Sequence, residues 1–341
     1  MHTIVRENNK MKKIVDDDRL IYKVCCLYYE DGMNQKEIGD YLGVSRSSVL
    51  RMLQNGRDRG IVTIELHNPA SFNYGEMEKK LENLYGLKDV VIVEESVLDS
   101  KSEAAAYIFG QAADYLYSLL REGYRIGVTM GHTLDNVLQT SKTFKKFDNL
   151  LCVPIVGGIS QGATEGMDVQ GNEIARKFTD KFGGKYLQFL SPAMFTDKRI
   201  LDTFLQEKSV NFIFDEFKKI NVAVVGIGVP TGEDHTLIKA GYATHKELKA
   251  LAKEGAVGDI TLQFFDENGN TDRFHSFNDR VAAISMDVFK KIPLRIGIAS
   301  GEKKVEAVRG AIRGKLINIL ITNAECARKM IEEGEQEAET V

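Results

Sequence analysis

Ile21, Val24, Cys25 and Tyr28 recur three and four residues apart in a segment that opens at Asp18. That spacing lays apolar side chains along one face of an α-helix. Helical periodicity of this kind holds over about the first 66 residues, and HNPASFNYG at 67–75, a run of turn formers, then reads as a linker. Beyond Glu76 the pattern changes. Continuous apolar runs rich in β-branched residues, at 90–93, 125–128, 150–156, 222–228, 294–299 and 317–322, alternate with helical stretches at 103–120, 169–182, 196–220, 245–254 and 303–313. Strands apolar on both faces and separated by helices predict a parallel sheet covered on both sides, with a ligand crevice beyond the carboxyl ends of its strands. The closing EEGEQEAETV reads as a solvated, frayed end.

Within the first region, QKEIGDYLGVSRSSVLRML at 35–53 fits two short helices meeting at a sharp angle. Asn34 and Ser45 carry side-chain oxygens suited to capping the first turns. Ile38 and Leu42 lie one turn apart on the first helix, and Val49, Met52 and Leu53 face inward from the second. Gly39 falls where a larger side chain would clash at the crossing, and Gly43 at a turn that needs φ > 0. A plain helical hairpin shares some of these features. Their coincidence favours a helix-turn-helix.

The second helix is expected to expose Ser45, Arg46, Ser47, Ser48 and Arg51. Ser47 and Arg51, one turn apart, are the candidates for base contact, Ser45 and Arg46 for phosphate, and Gln35 for the DNA backbone. Between Ser45 and Gly60 four arginines stand against Asp58 alone, although Arg57 and Arg59 taken by themselves read as a solvated face. Ile61–Leu66 offers a short wing strand. The fold class is therefore α/β: a helix-turn-helix DNA-binding domain over 1–66, a linker over 67–75, and a Rossmann-like, doubly wound parallel-sheet domain over 76–341.

Composition narrows the function. The 341 residues suit about two domains. Lys+Arg 45 against Asp+Glu 49 leaves a net charge of -4, so contact with nucleic acid is confined to a local face. No apolar run reaches about 18 residues, so no membrane span is expected. The N-terminus MHTIVRENNKMKKIV has no apolar core or cleavage site of a secretion signal, and the chain reads as cytoplasmic. Cys25, Cys26, Cys152 and Cys326 follow no metal-ligand spacing and read as reduced thiols.

Three glycine-bearing segments carry candidate chemistry. In GVTMGHTLDN at 127–136 a strand gives way at Gly131 to a helix near His132 or Thr133. Backbone N–H groups and the Thr133 hydroxyl there would cradle a phosphate, and the same loop reads equally as an ordinary strand-to-helix turn. In IASGEKKVEAV at 298–308 a turn feeds a helix whose first turn carries Lys303 and Lys304, an arrangement that opposes the helix dipole unless an anion sits nearby. In GAVGDITLQFFDENG at 255–269, Asp259 stands at the mouth of an apolar strand, where it would accept sugar hydroxyls or cap a turn. His132, His235 and His245 have no metal-ligand spacing, and GIGVPTG at 226–232 lacks a full dinucleotide fingerprint. No metal and no cofactor are expected.

Taken together, YYEDGMNQKEIGDYLGVSRSSVLRML, PIVGGIS, VAVVGIG, GAVGDI and GEKKVEAVRGAIRGKLINILIT occur in the order and spacing of the SorC family of sugar-binding bacterial transcription regulators, which the chain resembles from about Asp18 to Met330. The resemblance implies an effector domain similar in fold to sugar-phosphate isomerases and deaminases. It implies that Gly131, His132 and Thr133 form the phosphate loop, that Asp259 is the acidic effector contact, and that Lys304 meets phosphate or sugar oxygens. One member of the family forms a Schiff base through a lysine just before the GGIS segment. Here that position is Val156, which has no amine to attack a carbonyl, so effector binding is expected to be noncovalent. His132 stands where several relatives carry a small or hydroxyl residue.

The expected function is a non-enzymatic transcription regulator of a carbohydrate pathway. Its partners would be double-stranded operator DNA, a phosphorylated sugar and a second copy of itself, as a homodimer or homotetramer. The alternative is a sugar-phosphate isomerase or deaminase fused to a DNA-binding domain, with Asp259 or His235 as base. A third reading is a constitutive DNA-bound scaffold with a vestigial pocket.

Overall fold

A computed structural model describes residues 17–64, 74–93, 101–140, 142–158, 169–231, 235–239 and 241–340. The chain divides into two compact units, Met1–Ser71 and Phe72–Val341.

The first unit holds α1 (Asp18–Tyr29), α2 (Gln35–Leu42) and α3 (Arg46–Asp58). Asp17 caps α1 by accepting from the backbone N–H groups of Arg19 and Leu20. Asn34 and Glu37 form a reciprocal capping box at the start of α2. Gly43, at φ 67°, ends α2 in the left-handed region that an L side chain resists. Ile21, Val24, Ile38, Val49 and Met52 are completely buried between the helices. Close approach depends on two glycines. A Cβ on Gly39 would lie 2.8 Å from the Val44 carbonyl oxygen, and one on Gly56 would lie 2.6 Å from Cys25 Sγ. No strand forms over 61–64, so that part of the expected wing is absent, and residues 65–66 lie outside the described residues.

The second unit is built on a sheet of seven parallel strands: β1 (Asp89–Val93), β2 (Arg125–Val128), β3 (Phe147–Pro154), β4 (Gly183–Tyr186), β5 (Val222–Gly226), β8 (Leu294–Ile298) and β9 (Ile319–Asn323). A separate antiparallel hairpin comprises β6 (Gly258–Ile260) and β7 (Gln263–Phe265). The helices are α4 (Gly75–Tyr85), α5 (Lys101–Leu119), α6 (His132–Gln139), α7 (Gly171–Phe182), α8 (Lys198–Phe204), α9 (Lys208–Phe217), α10 (Thr236–Lys239), α11 (His245–Lys253), α12 (His275–Asn278), α13 (Met286–Phe289), α14 (Val305–Arg313) and α15 (Ala324–Thr340).

Side chains of β5 alternate between the two faces with the period of a strand. Val222 and Val224 pack with Leu116 of α5, Val137 of α6 and Phe178 of α7. Ala223 and Val225 pack with Phe217 of α9, Val308 of α14 and Met330 of α15. Each large apolar side chain buried this way contributes roughly 1.5–3 kcal/mol, so both faces drive the layering.

Strand order is β1-β9-β8-β5-β2-β3-β4. From β2 the chain moves outward to one edge through β3 and β4; from β5 it moves the other way through β8 to β9, which pairs with the edge strand β1. The reversal between β2 and β5 opens a crevice at their carboxyl ends.

Several expectations are corrected. The helical stretch at 196–220 breaks into α8 and α9, with Glu207 in extended backbone immediately before the second. The edge strand β4, GGKY, has no apolar run to announce it. Its glycines are required because a Cβ on Gly183 would lie 2.3 Å from the Phe147 carbonyl oxygen and one on Gly184 would lie 2.4 Å from that of Leu150. The apolar strand expected around Asp259 is a tight hairpin, turned through Thr261 and Leu262 at φ 55° and 63°. The acidic end is helical through Thr340 and tied to the body, with Glu333 paired to Arg309, Glu335 to Lys80 and Glu337 to Arg313.

Candidate functional site

A cavity of about 1210 Å³ lies over the carboxyl ends of β2, β5 and β8. Its walls include the loop from Thr129 to Thr133, the backbone from Gly226 to Val229, His235, Asp259 and the Ser300–Lys304 turn. All five effector candidates, Gly131, His132, Thr133, Asp259 and Lys304, therefore meet in one space.

Gly131 stands at φ 132° immediately before α6, and among the described residues no side chain caps that helix. The start of such a helix presents backbone N–H groups and favours an anion. Gly301 repeats the device at φ 90° before the short 3₁₀ turn Glu302–Lys304 that leads into α14. Asn323, which sequence reasoning missed, fixes this second turn. Its buried Oδ1 accepts from Gly301 N at 3.0 Å and from Cys326 N at 3.2 Å, tying the turn to the start of α15. An asparagine ending an apolar strand was the available signal.

Lys304 reaches across to β5, where Nζ donates to the Ile227 carbonyl oxygen at 2.5 Å. Burial pulls its ammonium below the usual lysine range, and the charge of Asp259 opposes that shift. Lys303 is exposed on the rim.

Asp259 is buried, with Oδ1 3.0 Å from Nε2 of the equally buried His235. Leu237 N donates to His235 Nδ1 at 3.2 Å. Nδ1 is thus the acceptor, Nε2 carries the hydrogen, and the imidazole donates to the carboxylate. The pair needs Gly228, where a Cβ would stand 1.9 Å from Asp259 Oδ1. The backbones of Gly228 and Asp259 also bond reciprocally, at 2.9 and 3.2 Å. Beside them, Thr261 and Leu262 hold positive φ at the cavity wall, strain of the sort that collects at binding sites. Val156 lines the same cavity and offers only methyl groups.

In the first unit Ser45 caps α3 by accepting from Ser48 N at 3.1 Å. Gln35 and Arg46 come together across the turn, with Arg46 Nε donating to Gln35 Oε1 at 3.4 Å. Ser47 and Arg51 are exposed on one face of α3. Ser48 is not: it is 5% exposed and its hydroxyl lies 2.9 Å from that of Ser45, so it supports the cap instead of facing outward. Leu50, 50% exposed, and Gln54 share the face of Ser47 and Arg51 and were missed, although the 47, 50, 51, 54 helical spacing could have found them. Arg59 pairs with Asp18 at 2.6 Å, tying the end of α3 to α1. Among the described residues no group of three His, Cys, Asp or Glu side chains is placed to hold a metal ion, and no helix is long and apolar enough to cross a membrane.

The family described as "Putative sugar-binding domain" matches residues 71–332, most of the second unit. The sorbitol operon regulator of Klebsiella pneumoniae is 30% identical over 320 residues, covering 93% of this chain and 98% of that one. The deoxyribonucleoside regulator of Bacillus subtilis is 26% identical over 319 residues, covering 93% and 98%. The crystal structure of the full-length sorbitol operon regulator SorC from Klebsiella pneumoniae superposes with a TM-score of 0.68 at 29% identity, covering 93% of this chain and 99% of that one. A helix-turn-helix and a sugar-binding α/β unit thus sit in one chain, aligned nearly end to end with regulators of carbohydrate-related operons, and the chain belongs to the SorC family of sugar-binding transcriptional regulators.

Proposed function

We propose that this chain controls a carbohydrate pathway by binding double-stranded operator DNA through α2 and α3 and a phosphorylated sugar, noncovalently, in the cavity over β2, β5 and β8. One observation carries the reading. Two glycine turns with no side-chain cap among the described residues and the Lys304 ammonium offer anion donors, Asp259 in the same cavity offers a hydroxyl acceptor, and Val156 offers no amine. Phosphate oxygens would take the first-turn N–H groups near Gly131, His132 and Thr133 and the Lys304 ammonium. Sugar hydroxyls would donate to Asp259. In the first unit Ser47 and Arg51 would read bases while Ser45, Arg46 and Gln35 hold the backbone. A coupling of about 1–3 kcal/mol between effector and DNA sites changes operator occupancy 5- to 150-fold, and a homodimer or homotetramer would present paired readers.

Isothermal titration with a panel of sugars and their phosphates tests the effector class. Binding of a phosphorylated sugar, with its unphosphorylated form at least tenfold weaker, supports the reading; equal affinity for both would refute the phosphate assignment. The His235–Asp259 pair favours a second reading, an isomerase or deaminase in which the pair moves a proton. Aldose–ketose turnover that Asp259→Asn abolishes would establish it in place of a pure sensor.

A further inference from the structure

At the amino ends of the strands, away from the cavity already described, a second cavity of about 590 Å³ opens beside Lys88 before β1, Arg295 in β8 and Asn318 before β9. Four cations, Lys88, Arg295, Arg313 and Lys315, line it against one acid, Glu337. That acid is already committed, to Arg313 at 2.7 Å and to Arg309.

Arg295 is the informative group. It is half-buried, its Nη1 donates to the Ile292 carbonyl oxygen, and its buried Nε has no hydrogen-bond partner among the described residues. No carboxylate pairs with it among the described residues, and burial alone pulls its guanidinium below the ordinary range. A guanidinium held partly out of water with no carboxylate beside it is costly unless an anion balances its charge. The surroundings are fixed: Lys88 Nζ and Asn318 Nδ2 both donate to the Pro293 carbonyl oxygen, at 3.0 and 2.9 Å. Lys315 holds φ 56°, a conformation that glycine would adopt without strain, and stays exposed at the rim.

We propose that this cavity is a second anion site and that it takes a small phosphate-bearing metabolite. Guanidinium and ammonium charges gathered on one cavity wall suit phosphate oxygens, and the volume suits a metabolite.

The test must separate the two cavities, because α14 touches both: Lys304 directly precedes it and Arg313 ends it. The full chain is titrated with pyrophosphate at constant ionic strength, as wild type and as Lys304→Ala, Arg295→Gln and Lys315→Glu. The expected result is a binding event that survives Lys304→Ala and weakens by about tenfold or more in each of the other two. Lys315 is exposed, so Lys315→Glu keeps the test decisive if Arg295→Gln fails to fold. Loss of all binding in Lys304→Ala, or unchanged affinity in Lys315→Glu, would overturn the proposal. So would an acidic peptide that displaces pyrophosphate at lower concentration, since it would assign the cavity to a protein partner.

Discussion

Gly228→Ala isolates the geometry on which the effector cavity depends. The added Cβ would stand 1.9 Å from Asp259 Oδ1 and 2.8 Å from its Cγ, inside any contact a real Cβ makes. Backbone cannot yield readily, because Gly228 and Asp259 are bonded to each other in both directions. The carboxylate must rotate away, breaking its 3.0 Å hydrogen bond with His235. Both side chains are buried, 5% and 8% exposed, so only water in the cavity that they line can take the lost partner's place. Leaving such groups unsatisfied costs about 2–4 kcal/mol in total, which for a unit of this size lowers Tm by roughly 4–7 °C. The displaced carboxylate would also cost the effector one hydrogen bond to a charged acceptor, about tenfold or more in Kd. Differential scanning calorimetry and effector titration read the two effects separately. DNA affinity without effector should be unchanged, since the substitution lies in the second unit. An unaltered Tm together with unaltered effector affinity would refute the reasoning.

Three further outcomes follow from the same structure. Lys304→Ala should leave DNA binding intact and weaken a phosphorylated effector by about 1.5–3 kcal/mol, read by titration; an undiminished response to effector would remove Lys304 from the site. Arg51→Ala should weaken operator binding by about 1–3 kcal/mol and relax specificity at one base position; equal losses on operator and random duplex would reassign Arg51 to phosphate. Burial pushes the Glu78 carboxyl up, opposed by the hydrogen bond it accepts from Ile92 N at 2.8 Å. A carboxyl raised on folding costs stability above its folded value, and the cost vanishes as pH falls below the unfolded one. Glu78→Gln keeps an acceptor for Ile92, so it should melt above wild type near pH 7 and lose that advantage toward pH 4. A pH-independent difference would contradict this.

Much of the fold was legible because the central strands are apolar on both faces. Runs such as 222–228 and 317–322 need no tertiary information to be recognised. Strand β4 was hidden because Gly183 and Gly184 are dictated by backbone contacts with β3, which leave no room for the side chains that mark a strand. The break between α8 and α9 and the helical, ion-paired acidic end likewise depend on partners distant in sequence. Lys80, Arg309 and Arg313 are what convert a polar tail into a docked helix.

At the site, local chemistry was readable: Gly131, Thr133, Asp259 and Lys304 each announced themselves by a turn or an out-of-place charge. Their pairings were not. His235 and Asp259 lie 24 residues apart and meet only because the hairpin folds against the end of β5. Ser48 looked equivalent to Ser45 and Ser47 in a serine-rich helix start, and only the packing of α3 distinguishes the inward hydroxyl.

The most direct measurement is fluorescence anisotropy of the full chain on a duplex from upstream of its own gene, with and without a phosphorylated sugar that titration shows to bind. The account predicts specific binding to that duplex and a 5- to 150-fold change in its Kd on adding the sugar phosphate. Specific DNA binding that stays constant at saturating effector would contradict it.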